Sequence, residues 1–280
     1  VTTALPIDHI VVNTRFETDR AASLFARLGF TLTPQGRHAM GSVNHLMVFG
    51  EDYLELIGLP TDGGPLRQEL LGQPVGIDGL VYRPHSADDV HAKATAQGLP
   101  VQPVHAFTRP LELEGRQHAA SFRTVRFPPD TFEAGRVYYC EHLTPELVWR
   151  PEWQRHPNGA CGLRGLTVVS RNPSDDAPAY ARAAFGAATR EADGRWRIDS
   201  PSFVVELIEP ATYAQRYGEL ACDARGRGSF FGAITLATRA PDALREHVAR
   251  LGEEAKHRTH PDGLAVSLPG FNVLLDFRHE

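Results

Sequence analysis

Cysteine, excess basic charge and long apolar runs are what this chain has least of, and each shortage removes a class of protein. Three cysteines, Cys140, Cys161 and Cys222, are too few and too scattered for a disulfide framework or a structural zinc site. Basic residues number 29 against 34 acidic ones, a formal charge of −5, which argues against a nucleic-acid binder. No apolar run approaches the roughly 18 residues a membrane span requires, and no signal pattern precedes the first strand-like segment. The expectation is a cytoplasmic protein that works on a small-molecule substrate, with neither nucleic acid nor membrane as partner. There is no Ser-His-Asp logic, no glycine fingerprint for a nucleotide and no CxxC pair. What is present is an ordinary globular composition, 42% hydrophobic, and a length of 280 residues that suggests two domains at about 150 residues each.

Four segments repeat one grammar, a short strand, a helix closing on glycine, then strands that finish near an acidic residue. The first opens with Ile7–Asn13 and continues through a helix ending at Gly29 to "NHLMVFGEDYLELIG". The second opens at Gly76, with Ser86 and Gly98 as helix caps, and closes on "RVYYCEHL". The third and fourth open with "GLRGLTVVS" and "FGAITLATR" and close on "SFVVELIEP" and "FNVLLDF". The distance from first-strand position to helix-terminal glycine is 20, 19, 21 and 19 residues in turn. The last-strand acids are Glu55, Glu141, Glu206 and Asp276, and the stretch 108–135 before Glu141 reads as an insertion. The pattern predicts an α+β protein of four βαβββ modules, at 5–60, 76–150, 162–210 and 230–279. These pair into domains 1–150 and 160–280, with the break in the Pro/Gly-rich segment 149–162. Two such units side by side make a curved sheet whose concave face is a natural ligand cavity.

On "IDHIVVN", "RLGFTLTPQGRHAMGSVNHLMVFGEDYLELIG" and "EHLTPELVW" the chain resembles the vicinal oxygen chelate superfamily, and within it the glyoxalase-like domain proteins, over roughly residues 5 to 150. The resemblance implies one divalent metal ion (zinc, nickel, manganese or iron) held by the first and last strands of paired modules. Carried onto this sequence, the ligand positions are His9, Glu55, Gly79 and Glu141, of which the glycine cannot bind metal. In the second half the positions are Gly165, Glu206, Ala233 and Asp276, with no histidine. Strand alternation puts His9 and Val11, and Tyr53 and Glu55, on the cavity face. It pairs Glu141 with Tyr139 and Leu143.

Further residues are candidates for holding substrate. Tyr53 shares the face of Glu55. Arg37 and His38 precede β-rich "GSVNH", and Arg123 or Arg126 could grip a carboxylate in bidentate fashion, although alternation lets only one of those two point inward. His45 faces the cavity if the Gly50–Asp52 loop has three residues and turns outward if the turn has two. "KHRTHPDG" reads as a turn. The resemblance implies a lyase or isomerase that chelates a small oxygenated metabolite and abstracts a proton, with Glu55 or Glu141 as base. Two alternatives stand beside it: an extradiol-type dioxygenase with ferrous iron, and a metal-free protein that sequesters small molecules. Four modules in one chain are compatible with a monomer or with a homodimer.

Overall fold

The computed structural model describes residues 4–113 and 115–280. The first half runs β1 (Ile7–Arg15), α1 (Thr18–Arg27), β2 (Gly36–His38), β3 (Ser42–Val48), β4 (Tyr53–Gly58), α2 (Gln68–Gly72), β5 (Gly76–Tyr82), α3 (Ala87–Ala96), β6 (His105–Leu113), β7 (Arg116–Arg126), β8 (Arg136–His142). The second runs β9 (Ala160–Ser170), α4 (Pro173–Ala183), β10 (Ala188–Arg190), β11 (Trp196–Ser200), β12 (Phe203–Ile208), α5 (Pro210–Tyr217), β13 (Ser229–Thr238), α6 (Pro241–Ala249), β14 (Lys256–His260), β15 (Gly263–Leu268), β16 (Val273–His279).

Each half is one eight-stranded sheet, and the two orders correspond strand for strand: β2-β3-β4-β1-β5-β8-β7-β6 and β10-β11-β12-β9-β13-β16-β15-β14. The first strands of paired modules, β1 and β5, run antiparallel at the centre, and each lies parallel to the last strand of its own module. This is the paired βαβββ architecture that the repeat predicts. Residues 108–135 are no insertion. They hold most of a long β6–β7 hairpin, so the second module has its own strands, lengthened.

Helix periodicity decides which faces meet. Ala21, Leu24 and Phe25 of α1 and Ala87, Val90 and Ala94 of α3 are buried on the helix-covered side of the first sheet. They share one continuous core with Leu166, Ala177, Tyr180 and Phe231 of the second half. Phe30 and Phe277, one from each half, meet with ring centroids 6.2 Å apart. A fully buried Phe or Leu contributes about 1.5–3 kcal/mol, so the halves stabilise each other. The segment between them is pinned as well. Thr31 N donates to His156 Nδ1 at 3.0 Å, which leaves Nε2 to donate to Val48 O at 2.9 Å, and Asn158 Nδ2 donates to Leu28 O. The hairpin turn after β3 carries Asp52 into this junction, where its carboxylate accepts from Leu163 N at 2.9 Å.

Each concave face keeps a separate apolar cluster, covered by the short helix that follows the fourth strand of its half. Leu70 of α2 belongs to one and Tyr213 and Tyr217 of α5 to the other. The fold therefore offers two cavities that face away from the shared core. No helix among the described residues is long and apolar enough to cross a membrane.

Candidate functional site

In the first half the site begins with an irregularity in β1. Ile7 pairs with Tyr82 and His9 with Val81, so Asp8 is an extra residue in the strand, a β-bulge. The bulge brings Asp8 and His9 to the same side, which strict alternation forbids. Asp8 Oδ2 lies 2.6 Å from His9 Nδ1 and 3.0 Å from His142 Nε2. Burial opposes the Asp8 charge, but the two imidazoles outweigh it and hold the carboxyl far below the ordinary range. An ionised Asp8 accepts a hydrogen bond from His9 Nδ1–H and leaves Nε2 facing the cavity, 3.2 Å from Tyr138 Oη and 3.6 Å from Glu55 Oε2. Tyr53 stacks on the His9 ring at 4.3 Å and fixes its plane.

Glu55 is fixed from the other side. Asn44 Nδ2 donates to Glu55 Oε1 at 2.6 Å, and Arg109 donates to Asn44 Oδ1 at 3.1 Å. Burial would raise the Glu55 carboxyl, yet His9, His38, the Asn44 bond and Arg109 together leave it below its usual value. Arg109 is almost wholly buried and its Nε has no partner. Burial likewise pushes the His38 imidazole down to about 4, so that ring is neutral. The cavity around these groups is small, about 40 Å³. It adjoins a recess of about 300 Å³, with Arg67, Arg126 and Tyr138 lining both.

The structure brings His9, Tyr53 and Glu55 together with His38 and Arg126, and leaves Glu141, Arg123, Arg37 and His45 outside. Glu141 turns to the helix side, where its Oε2 accepts from Ala87 N at the start of α3 and lies 3.6 Å from Arg123. The reason is register. Val11 pairs with Glu55 in β4, and its counterpart Val81 pairs with Tyr138 in β8, so Tyr138 holds the position equivalent to Glu55. The last acid in a strand is a poor marker when the strand runs three residues further. Arg123 makes a bidentate pair with Asp88 on that same outer side, and it is Arg126 that enters the cavity. Arg37 is exposed and paired with Asp62. His45 sits opposite Leu56, because the turn spans Phe49–Asp52 and Val48 pairs with Tyr53, and its Nδ1 meets Thr33 O instead. Asn44, its neighbour, faces in.

Sequence reading missed Asp8, Asn44, Arg109 and Tyr138. Asp8 depends on a bulge, and Arg109 reaches the site from a strand far along the chain. An amphipathic reading of the β6–β7 hairpin was the one available signal for Arg109, a buried position on a largely exposed strand.

Gly79, the fourth ligand position of the family pattern, has no room for a longer side chain. A Cβ there would lie 2.7 Å from Val11 Cγ2 and 2.8 Å from Val11 Cβ. We expect Gly79→Ala to cost about 1–3 kcal/mol through overpacking, read as a lowered urea midpoint at unchanged m-value. An unchanged or raised midpoint would show that β1 yields at this point.

His9 and Glu55 fit a divalent ion as two of its ligands, with the phenol of Tyr138 as the nearest further oxygen. The grouping that brings three His, Cys or carboxylate ligand atoms within 4.8 Å among the described residues is a different one, Asp8, Cys140 and His142. Its Asp8 oxygen already serves both imidazoles, and Tyr53, Phe122 and Trp149 pack around the His142 ring. That grouping suits a buried structural ion better than one that must receive a ligand. In the second half Gly165 and Ala233 offer no donor at the positions of His9 and Gly79, and Glu206 and Asp276 are taken up by cationic side chains.

A family model described as a glyoxalase-like domain matches residues 7–184. No curated protein matches the chain at a significant level. Among solved structures, a hypothetical protein from Staphylococcus aureus is similar over 99% of this chain and 100% of its own, with TM-score 0.66 and 11% identity. A triple mutant of 4-hydroxymandelate synthase from Streptomyces coelicolor is similar over 99% and 93%, with TM-score 0.52 and 12% identity. A xylose isomerase-like TIM barrel/4-hydroxyphenylpyruvate dioxygenase fusion protein is similar over 99% of this chain and 49% of its own, with TM-score 0.57 and 13% identity. At such identities these likenesses speak for the fold. With its family match spanning more than half its length, the chain belongs to the glyoxalase-like domain family of the vicinal oxygen chelate superfamily.

Proposed function

We propose that the first-half cavity binds a small anionic, oxygenated metabolite beside a divalent metal ion held by His9 and Glu55, and that oxygen-dependent chemistry of the extradiol type fits the site better than isomerisation. The observation that carries the reading is the His9–Glu55 pair. Its two ligand atoms stand 3.6 Å apart at a cavity wall, and Asp8 orients the imidazole from behind as a metal-bound histidine requires. A bound ion would supply Lewis acidity and, as ferrous iron, a meeting place for dioxygen and two neighbouring substrate oxygens.

The chain's own residues support the choice between chemistries. An isomerase of this type needs a carboxylate free to take a proton, and Glu55 is the sole carboxylate among the residues lining the cavity. Glu141 is on the far side of the sheet, and Glu69, which lines the adjoining recess, is paired with Arg67 and Arg126. Arg67 and Arg126 stand where the small cavity opens to the larger recess, 2.5 and 3.6 Å from Glu69, and a substrate carboxylate would share or displace that pairing while its oxygens reach His9 and Glu55. The apolar side of that recess, Phe127, Pro128 and Phe132, suits an aromatic or aliphatic body.

A second reading rests on the shortage of donors. A two-histidine, one-carboxylate triad lacks one member here, and a metal-free binding protein needs none. Metal titration of chelator-treated protein with ferrous, zinc and manganese ions, followed by oxygen uptake on a panel of catecholic carboxylates, separates the two. Near-stoichiometric iron with oxygen uptake supports the dioxygenase reading. Ligand binding without metal supports sequestration and sinks the metal site.

A further inference from the structure

Of the two concave-face cavities the larger lies in the other half, where the sequence suggests only lost ligands. It measures about 480 Å³ and occupies the concave face of the second sheet. At its floor, Glu206 and Asp276 hold the positions equivalent to Glu55 and Tyr138. Glu206 pairs with Thr167 in β9 and Asp276 with Thr235 in β13. Neither carboxylate is available to a metal ion. Glu206 accepts from Thr167 Oγ1 at 2.7 Å, from Arg195 at 3.1 Å and from Arg216. Asp276 accepts from Tyr217 Oη at 3.0 Å, from Arg278 at 2.7 Å and from His260 Nε2 at 2.8 Å. His260 belongs to the segment that sequence alone reads as a turn; it closes strand β14, with the turn beginning after it.

The acids thus act as anchors that aim guanidinium groups into the cavity. Among its described lining residues six arginines face four carboxylates, and three acids just outside the lining, Asp193, Asp199 and Glu280, pair with Arg195, Arg197 and Arg164. Of these arginines, Arg258 has no carboxylate partner among the described residues and donates to a backbone oxygen, that of Arg216. Two acids of the surrounding pairs, Asp193 and Asp262, are exposed partners of Arg195 and Arg278 and sit in water, where such pairing is weak. Concave walls focus the field of the Arg258 charge. Hydroxyls of Thr167 and Thr235 and the Trp196 ring complete the lining.

We infer that this cavity is a second, metal-free binding site, for a small organic anion carrying two or more negative groups, carboxylates or phosphates. Arg258 and Arg216 meet the charged groups, and Glu206 and Asp276 keep the cationic wall in place. The two pseudo-equivalent cavities then differ in kind. Both present guanidinium groups, but only the first adds a histidine and a carboxylate for a cation.

Isothermal titration of the full chain with citrate and, separately, with fructose 1,6-bisphosphate tests this, at low and at physiological ionic strength. Saturable one-site binding of either compound is expected, and which of the two binds more tightly assigns carboxylate or phosphate chemistry. Loss of one charged contact should weaken binding by about tenfold or more in Arg258→Gln, whose side chain is exposed and whose loss should leave folding intact. Arg216→Gln should weaken it too, with circular dichroism confirming the fold. Glu55→Gln, in the other half, should leave it unchanged. No saturable binding of either compound overturns the inference, as does binding that survives Arg258→Gln in full or that disappears in Glu55→Gln.

Discussion

Glu55→Gln is expected to lower divalent-ion affinity by more than about 100-fold, and Asp8→Asn by about 10–100-fold, the range for a group that orients a ligand without touching the ion. The difference follows from position. Glu55 offers its free oxygen directly to the cavity, while its other oxygen is held by Asn44. Asp8 stands behind His9 and works through Nδ1; an asparagine there keeps one acceptor oxygen but loses the charge that fixes the tautomer. Competition with a chromophoric chelator reads both affinities, and near-ultraviolet circular dichroism confirms that the packing around Tyr53 and Trp149 is retained. The opposite order has a definite meaning. If Asp8→Asn and Cys140→Ser abolish binding while Glu55→Gln leaves it intact, the ion sits among Asp8, Cys140 and His142, and the proposed site is wrong.

The repeat, the helix caps and the cavity faces of β1 and β4 were legible because each rests on local periodicity. Ile10, Val12, Leu54 and Leu56 alternate with His9, Val11, Tyr53 and Glu55, and the structure sends the first set to the shared core. Failure came where a single residue changes phase. The bulge at Asp8 adds a residue to β1, and of the two registers open for β3 the Gly50-Glu51 turn, closed by Phe49 N donating to Asp52 O, selects the one that turns His45 outward and Asn44 in. In β8 the acid nearest the strand end, Glu141, stood in for the position that Tyr138 fills. Register is a long-range quantity. It depends on which backbone groups pair across the sheet, and no period within one strand contains it. The charge inversion of the second cavity was hidden for the same reason. Arg195, Arg216, Arg258 and Arg278 come from the turn before β11, from α5, from β14 and from β16, and converge only once the sheet curves.

Raising the pH from 5 to 8 is expected to destabilise the fold through Asp52, and Asp52→Asn to remove much of that loss. Burial at the junction of the halves raises the Asp52 carboxyl from 3.8 to about 7, against the lowering effect of the Leu163 N–H bond and the more distant Arg164 and Arg83. Below pH 3.8 the group is protonated in both states and carries no cost. Between 3.8 and about 7 the unfolded chain releases the proton while the folded one keeps it, so stability falls as pH rises. Above about 7 the folded state holds a buried carboxylate, at an upper cost of about 4 kcal/mol. Asparagine keeps the oxygen that accepts from Leu163 N and has no charge to bury. At pH 8 the variant should therefore unfold at a higher urea concentration than the wild type, and at pH 5 the two midpoints should approach each other. A wild-type midpoint that does not move over this range, or a variant less stable at pH 8, would mean that Asp52 is ionised at the junction and that Arg83 and Arg164 compensate it there. Because Asp52 ties the turn after β3 to the first residues of β9, the same titration also reports on how firmly the two halves are joined.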